Sequence, residues 1–411
     1  MDYLRLLHKE ILPAIGCTEP ISVALCVARA KEKLGVLPER ITVHLSKNIY
    51  KNAMSVGIPN TGMTGLPIAI ALGATIGRSE LQLEVLRDAT SEAVEAAKRY
   101  LEKVTPVISV DAQAPNVLYI KVCVEGDKRQ AEAVIMGEHT HFVESGESGC
   151  VRIQTVESEE DDRITGLHAV YDFAQHVDTE EVRFLKEGAE LNIQAAEYSF
   201  CHNCGHRLGK LLHQSGSQDI LTRILAYTSG ACDARMSGAM IPVMSNSGSG
   251  NQGISCSVPV YIYAQEKHLG EEALLRALTL SNLTAIYIKQ SLGRLSALCG
   301  CVVAATGSAV GITYLMGGGY DEITYAVKNM IANISGMICD GAKPGCALKV
   351  SSGVSTAVMS ASLAMQHSYA DATEGIVEED IDRTIYNLTR IGKDGMTQTD
   401  DIILDIMTHK Q

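Results

Sequence analysis

The pattern of apolar and polar positions divides the chain in two. Up to about residue 156 helices alternate with short strands, and beyond it almost every segment to Gln411 has helical periodicity. Residues 1–35 read as two helices broken at Gly16-Cys17-Thr18-Glu19-Pro20, with Thr18 as N-cap and Pro20 in the first turn of the second helix. Residues 41–45 alternate like a strand. A Gly-rich turn, Asn60-Thr61-Gly62-Met63-Thr64-Gly65, precedes an Ala/Ile-rich helix, and 79–102 reads as one amphipathic helix. Strands are expected at 107–110, 116–125, 129–136, 141–144 and 151–156, and the short turns between them predict an antiparallel sheet.

The expected fold class is α+β, a mostly helical domain plus a smaller α+β domain with an antiparallel sheet. The charged run 157–163 marks the boundary. Residues 1–35 and 157–411 are expected to form the helical domain, with 36–156 inserted. Gly/Ser/Asn-rich breaks at 245–253, 317–319 and 339–353 interrupt the helices.

Composition removes several functions. With 46% hydrophobic and 20% charged residues the chain is not a disordered one. Aromatics are 5% with no Trp, which argues against a base-stacking platform, and a net charge of −13 repels a phosphate backbone, so no nucleic-acid partner is expected. The most apolar stretch, 297–316, carries Cys, Ser, Thr, Tyr and three Gly and reads as a buried helix, so no membrane association is expected. The opening MDYLRLLHKE is charged from its second residue, unlike a secretory signal, so a cytoplasmic location with reduced thiols is expected. In that setting twelve cysteines point to metal or catalysis more than to disulfides.

Four motifs could carry chemistry. In Cys339-Asp340-Gly341-Ala342-Lys343-Pro344-Gly345-Cys346 a Gly/Pro loop can turn two thiolates to one point, and Cys299-Gly300-Cys301, at the start of an apolar helix, can add a third. Three thiolates in a dry site suit a soft metal or an iron–sulfur cluster with one open iron, against the alternative that small thiols pack well beside Gly and Ala. Asp340 and Lys343, between two of these cysteines, are candidate acid, base or substrate clamp. Cys17, just before a helix, meets unpaired N–H groups and a positive dipole end that lower a thiol pKa; a buried structural thiol is the alternative. The Gly-rich stretch 244–253 leads into a helix, and the small donors Asn246, Ser247 and Asn251 suit a carboxylate, against a plain polar turn. It lacks the Gly-Lys-Ser/Thr of a Walker loop and is expected to lack the preceding strand and the G-x-G-x-x-G spacing of a dinucleotide-binding turn. Asn60 and Thr61 form a weaker candidate of the same kind. Cys201-His202-Asn203-Cys204-Gly205-His206 is half of a zinc pattern without its second half, and is expected to be ordinary helix.

Together, Ile15-Gly16-Cys17-Thr18-Glu19-Pro20, SNSGSGNQG at 245–253, SALCGC at 296–301 and CDGAKPGC at 339–346 resemble the L-cysteine desulfidase family, relatives of the iron–sulfur L-serine dehydratases, over nearly the whole chain. The resemblance implies an oxygen-sensitive [4Fe–4S] cluster held by three cysteines, and conversion of L-cysteine to sulfide, ammonia and pyruvate without pyridoxal phosphate. It implies Cys339 and Cys346 as ligands with one of Cys299 and Cys301, Cys299 being preferred. Cys17 then matches the family's additional cysteine, as a base, a sulfur acceptor or a reversible ligand, and Lys343 is a second catalytic candidate. A small amino-acid substrate and a homodimer are expected. The rival readings are an L-serine dehydratase-like ammonia-lyase, a non-catalytic iron–sulfur redox sensor and a zinc-stabilised structural protein.

Overall fold

The structure is a computed structural model that describes residues 1–143, 163–293 and 295–410. Cys150, the strand expected at 151–156 and all but the last residue of the charged run 157–163 lie outside the described residues. Helix α1 (Tyr3–Glu10) is capped by Asp2 and leads through strand β1 (Pro13–Ile15) into α2 (Thr18–Leu34). Next come β2 (Arg40–Leu45), α3 (Lys47–Ala53), α4 (Leu66–Thr75), α5 (Ser91–Lys103), β3 (Val107–Val110), β4 (Tyr119–Gly126), β5 (Arg129–Met136) and β6 (Phe142–Val143). The remainder is helical except for one short strand: α6 (Leu167–His176), α7 (Phe184–Cys201), α8 (Leu208–Gln214), α9 (Ile220–Met236), β7 (Pro242–Met244), α10 (Gly250–Glu266), α11 (Glu271–Leu292), α12 (Gly300–Leu315), α13 (Tyr320–Ile334), α14 (Cys346–Ala364), α15 (Ile381–Arg390) and α16 (Thr397–Thr408).

The α+β class holds, and the sheet is mixed where an antiparallel one was expected. Its order is β3-β2-β4-β5-β6, with β2 and β3 parallel and the other pairs antiparallel. The parallel pair follows from the long helical crossover through α3, α4 and α5, which returns the chain in the same direction. The single helix expected at 79–102 is also divided. A 3-10 turn covers Ser79–Glu84, Gln82 takes φ +51°, and α5 starts afresh at Ser91 behind Thr90, whose hydroxyl accepts from the Ala93 N–H at 3.3 Å.

Two cores result. One lies between the sheet and α2 and α4, with Leu25, Val27, Ile41, Val43, Ile70 and Val122 at its centre. The other fills the helical bundle around α12, which is apolar on every side and is packed by α10, α11, α13 and α14. At Gly307 an added Cβ would lie 2.3 Å from the Ser281 carbonyl of α11, so only glycine permits that close helix contact. Residues 1–35 are shared between the cores: Leu6, Leu7, Ile11 and Cys17 belong to the helical one, and α2 from Ile21 onward to the sheet core. Gly16, at φ +74° and pressed against Pro59, makes the turn between them.

Two fully buried thiols outside the candidate site, Cys26 on α2 and Cys256 on α10, have pKa values pushed up by burial. Unfolded, such thiols ionise near pH ~8.5, while in the folded chain they keep their protons. The stability they carry is therefore complete below the ordinary thiol range and falls above it by about 1.4 kcal/mol per pH unit for each thiol. Melting temperatures of the reduced protein at pH 7 and pH 10 check this: the alkaline drop is expected to be smaller in the Cys26→Ala/Cys256→Ala variant.

Candidate active site between the two cores

An isolated antiparallel bridge pairs Leu298 with Ile338 and sets two of the cysteines side by side. The Cys299 N–H donates to the Met337 carbonyl at 2.9 Å, and the Cys339 N–H to the Ala297 carbonyl at 2.6 Å. The two thiols act on each other so that the pKa of Cys299 is raised and that of Cys339 lowered; burial also raises Cys299, and the Lys51 ammonium assists the lowering at Cys339. Cys346 opens α14 with its Sγ 3.7 Å from the Gly341 carbonyl; its pKa is raised by burial and by the charge of Cys339. Cys301 has a partner of its own: its Sγ donates to the Lys349 carbonyl at 3.1 Å and lies against Gly353 of α14, while burial, and after it the charge of Cys346, raises its pKa. Asp340 is clasped by Lys343 and Lys349. Burial acts to raise its pKa, but hydrogen bonds from the two ammonium groups hold its carboxyl down at about 2. Lys343 Nζ also donates to the Asp340 carbonyl at 3.1 Å, so this lysine ties the ligand loop to itself.

Across from this loop Cys17 stands at the start of α2. Cys17, and not Thr18, occupies the cap position, and Thr18 bridges outward to the Gly248 carbonyl at 3.0 Å. The Cys17 Sγ donates to Glu19 Oε2 at 3.0 Å, the Thr18 hydroxyl donates to the same oxygen at 3.1 Å, and Asn52 Nδ2 donates to Glu19 Oε1 at 3.0 Å. The expected low pKa at Cys17 is not what the surroundings produce. Burial raises it well above the ordinary thiol value and the Glu19 charge raises it further, outweighing the helix end and Arg235. Burial also opposes ionisation of Glu19, but His139 and the hydrogen bond from Cys17 hold its pKa below the usual carboxylate range. The proton of this pair rests on sulfur.

Helix α3 joins the two clusters. Lys51 Nζ donates to the Cys339 carbonyl at 3.1 Å and pairs with Asp400 of α16, while its neighbour Asn52 holds Glu19. Gly341 lets the ligand loop approach, since a Cβ there would lie 2.3 Å from the Lys51 carbonyl. The Gly-rich turn meets the same place: Gln252 lies against Gly300, the residue after Cys299. Lys51 is 2% exposed, and removing one member of a buried ion pair strands the other. Lys51→Ala is expected to cost about 3–5 kcal/mol, measured by denaturant unfolding.

A family model described as the serine dehydratase alpha chain matches residues 80–405. The chain belongs to that family. The matched span contains all four thiols of the Cys299–Cys346 region and leaves Cys17 and Glu19 outside it. Over its whole length the chain is also similar to proteins named UPF0597: one from Phocaeicola vulgatus is 58% identical over 419 residues (99% of this chain, 97% of the relative), one from Bacteroides fragilis 57% over 417 (99% and 97%), and one from Porphyromonas gingivalis 48% over 424 (99% and 98%). The serine dehydratase family is a lyase family associated with iron–sulfur clusters.

The donor chemistry here fits such a group, with three thiols gathered on two facing loops and walled by the helical core. Among the described residues no three His, Cys, Asp or Glu side chains form a cage for a single ion. Cys201-His202-Asn203-Cys204-Gly205-His206 is not a continuous helix, because α7 ends at Cys201; His202 stacks on Tyr198 at 3.8 Å and the His206 N–H donates to Asp233. Among the described residues no helix is long and apolar enough to cross a membrane.

The polar candidates divide. Asn246 Nδ2 donates to the Asn282 side chain at 3.0 Å and Ser247 donates to Asn246 Oδ1 at 2.8 Å, so these two fasten the turn. Asn60 donates to the Ala89 carbonyl and Thr61 to the Ile58 carbonyl, shaping their own turn. Asn251 accepts from Arg235 Nη1 at 3.1 Å. A strand, β7, does precede the 245–253 turn, and Gly248, Gly250 and Gly253 have the G-x-G-x-x-G spacing. Among the described residues β7 pairs only with β1, antiparallel, so no parallel βαβ unit is present there to support dinucleotide binding. Sequence reasoning missed Glu19, Asn52, Arg235 and Gln252. Arg235 could have been noticed as a cation near the end of the small, apolar run Ser229-Gly230-Ala231-Cys232.

Proposed function

We propose that the protein is an iron–sulfur-dependent L-cysteine desulfidase, which eliminates sulfide from L-cysteine and yields ammonia and pyruvate. The observation that supports it most is the pairing of a three-thiol cluster with the buried Cys17–Glu19 proton pair through α3. When bound by Cys299, Cys339 and Cys346, a [4Fe–4S] cluster supplies Lewis acidity toward the departing sulfur. Cys299 is preferred over Cys301 because its thiol meets Cys339, whereas that of Cys301 is committed to the Lys349 carbonyl. Cys17 Sγ and Glu19 Oε2 hold one proton across 3.0 Å; passing it to Glu19 leaves the thiolate that takes the substrate's α-proton. Lys343 and Asp340 keep the loop between two ligands in shape, and Asn246 and Ser247 keep the Gly-rich turn in place. A reducing cytoplasm suits both the thiols and an oxygen-sensitive cluster.

An L-serine dehydratase is the second reading, favoured by the family match. Anaerobic reconstitution with iron and sulfide, followed by assays on both amino acids, separates them. Sulfide release from cysteine is expected to exceed pyruvate formation from serine in kcat/KM. The reverse order assigns a serine dehydratase, and a cluster that forms without consuming either amino acid assigns a redox sensor.

A further inference from the structure

We infer that Arg235 is the anchor for the carboxylate of an α-amino acid bound in this site. Arg235 lies in the last turn of α9, only 3% exposed, and among the described residues no carboxylate comes within ion-pair distance of its guanidinium. Its Nη1 donates to Asn251 Oδ1 at 3.1 Å, while its Nε has no hydrogen-bond partner. A buried cation with an unused donor is costly unless an anion completes it.

The place is built for an anion. The guanidinium rests on Gly250, the first residue of α10, where a Cβ would lie 2.3 Å from Nε. The opening N–H groups of that seventeen-residue helix add their own positive field. Two further buried atoms without partners, Asn52 Oδ1 and Gln252 Oε1, are acceptors, the complement of an ammonium group. One spare donor and two spare acceptors fit a zwitterion. Arg235 also acts electrostatically on Cys17 and Glu19, so a carboxylate held there shares the same buried region as that proton pair. The inference rests on the reading of this site as one for an amino acid, and adds how that class of substrate is recognised.

The test uses binding of L-alanine, which cannot undergo β-elimination, to the reduced full-length protein by calorimetry, with alaninamide and inorganic phosphate as controls. Wild-type protein is expected to bind L-alanine in preference to both, and Arg235→Gln to bind it about 100-fold more weakly, the usual scale for leaving a buried charge pair incomplete. Gly250→Ala, which leaves the arginine but displaces its guanidinium, is expected to weaken binding in the same direction and carries the test if Arg235→Gln does not fold. Unchanged L-alanine affinity in both variants overturns the assignment, as does an absence of L-alanine binding to the wild type. Phosphate binding as tight as that of L-alanine also overturns it, by showing a general anion site. The binding measurement needs no turnover: if it succeeds while neither cysteine nor serine is consumed, the desulfidase reading fails and the carboxylate anchor stands.

Discussion

Replacing Cys17 by Ala is expected to leave the iron–sulfur absorbance of reconstituted protein intact and to lower sulfide release by about 10³-fold or more, the scale on which loss of a proton-transfer group acts. The separation of the two effects follows from its contacts. The Cys17 thiol donates to Glu19 and makes no hydrogen bond to Cys299, Cys339 or Cys346, so its loss does not disturb the three-thiol cluster. Cys17→Ser sharpens the result. Serine keeps a donor to Glu19 but yields its proton far less readily than a thiol, so structure and absorbance persist while turnover does not. Iron content, absorbance and sulfide release on the same preparations provide the check. Activity within tenfold of wild type in Cys17→Ala removes the thiol from the chemistry, and loss of absorbance makes it a ligand.

The second large effect concerns the cluster itself. Alanine at Cys299, Cys339 or Cys346 is expected to abolish bound iron and acid-labile sulfide, and with them activity, whereas Cys301→Ala is expected to retain both. The distinction lies in where two thiols two residues apart are sent. Cys299 precedes α12 and follows Leu298, which bridges to Ile338, so its thiol is set beside Cys339. Cys301 is one residue inside the helix and its sulfur faces α14, against Gly353. Iron retained in Cys299→Ala and lost in Cys301→Ala would reverse the assignment. In either variant, circular dichroism is expected to show that the helices remain, because each substitution removes one sulfur from a large core.

Much of this site could be read in the chain before folding. The motifs at 15–20, 245–253, 299–301 and 339–346 are in contact with one another through Thr18–Gly248, Gln252–Gly300 and the Leu298–Ile338 bridge. The legible part is what local sequence decides: helix starts, Gly-rich turns, thiol spacing. What was not legible depends on burial and on partners far away in sequence. Cys17 looks like an activated thiol at a helix start, yet desolvation and a carboxylate two residues on reverse that expectation. Asn246 and Ser247 look like ligand donors, yet Asn282, from a different helix, occupies one of them. Asn52 and Arg235 belong to no motif, and acquire meaning only because α3 and α9 pass the same point. In the fold, the parallel β2–β3 pair depends on a crossover whose direction no strand pattern records.

Lys51 is held by Asp400 of α16, sixty-one residues after Cys339 in sequence, and supports both Asn52 and the loop of Cys339. A ribosome adds about 5–20 residues per second, so the first cysteine of the site waits tens of seconds for this last contact to be synthesised. The brace from α16 is thus the last part of the site to be made, and a protein truncated before α16 is expected to keep every candidate ligand yet lack the brace that orders them.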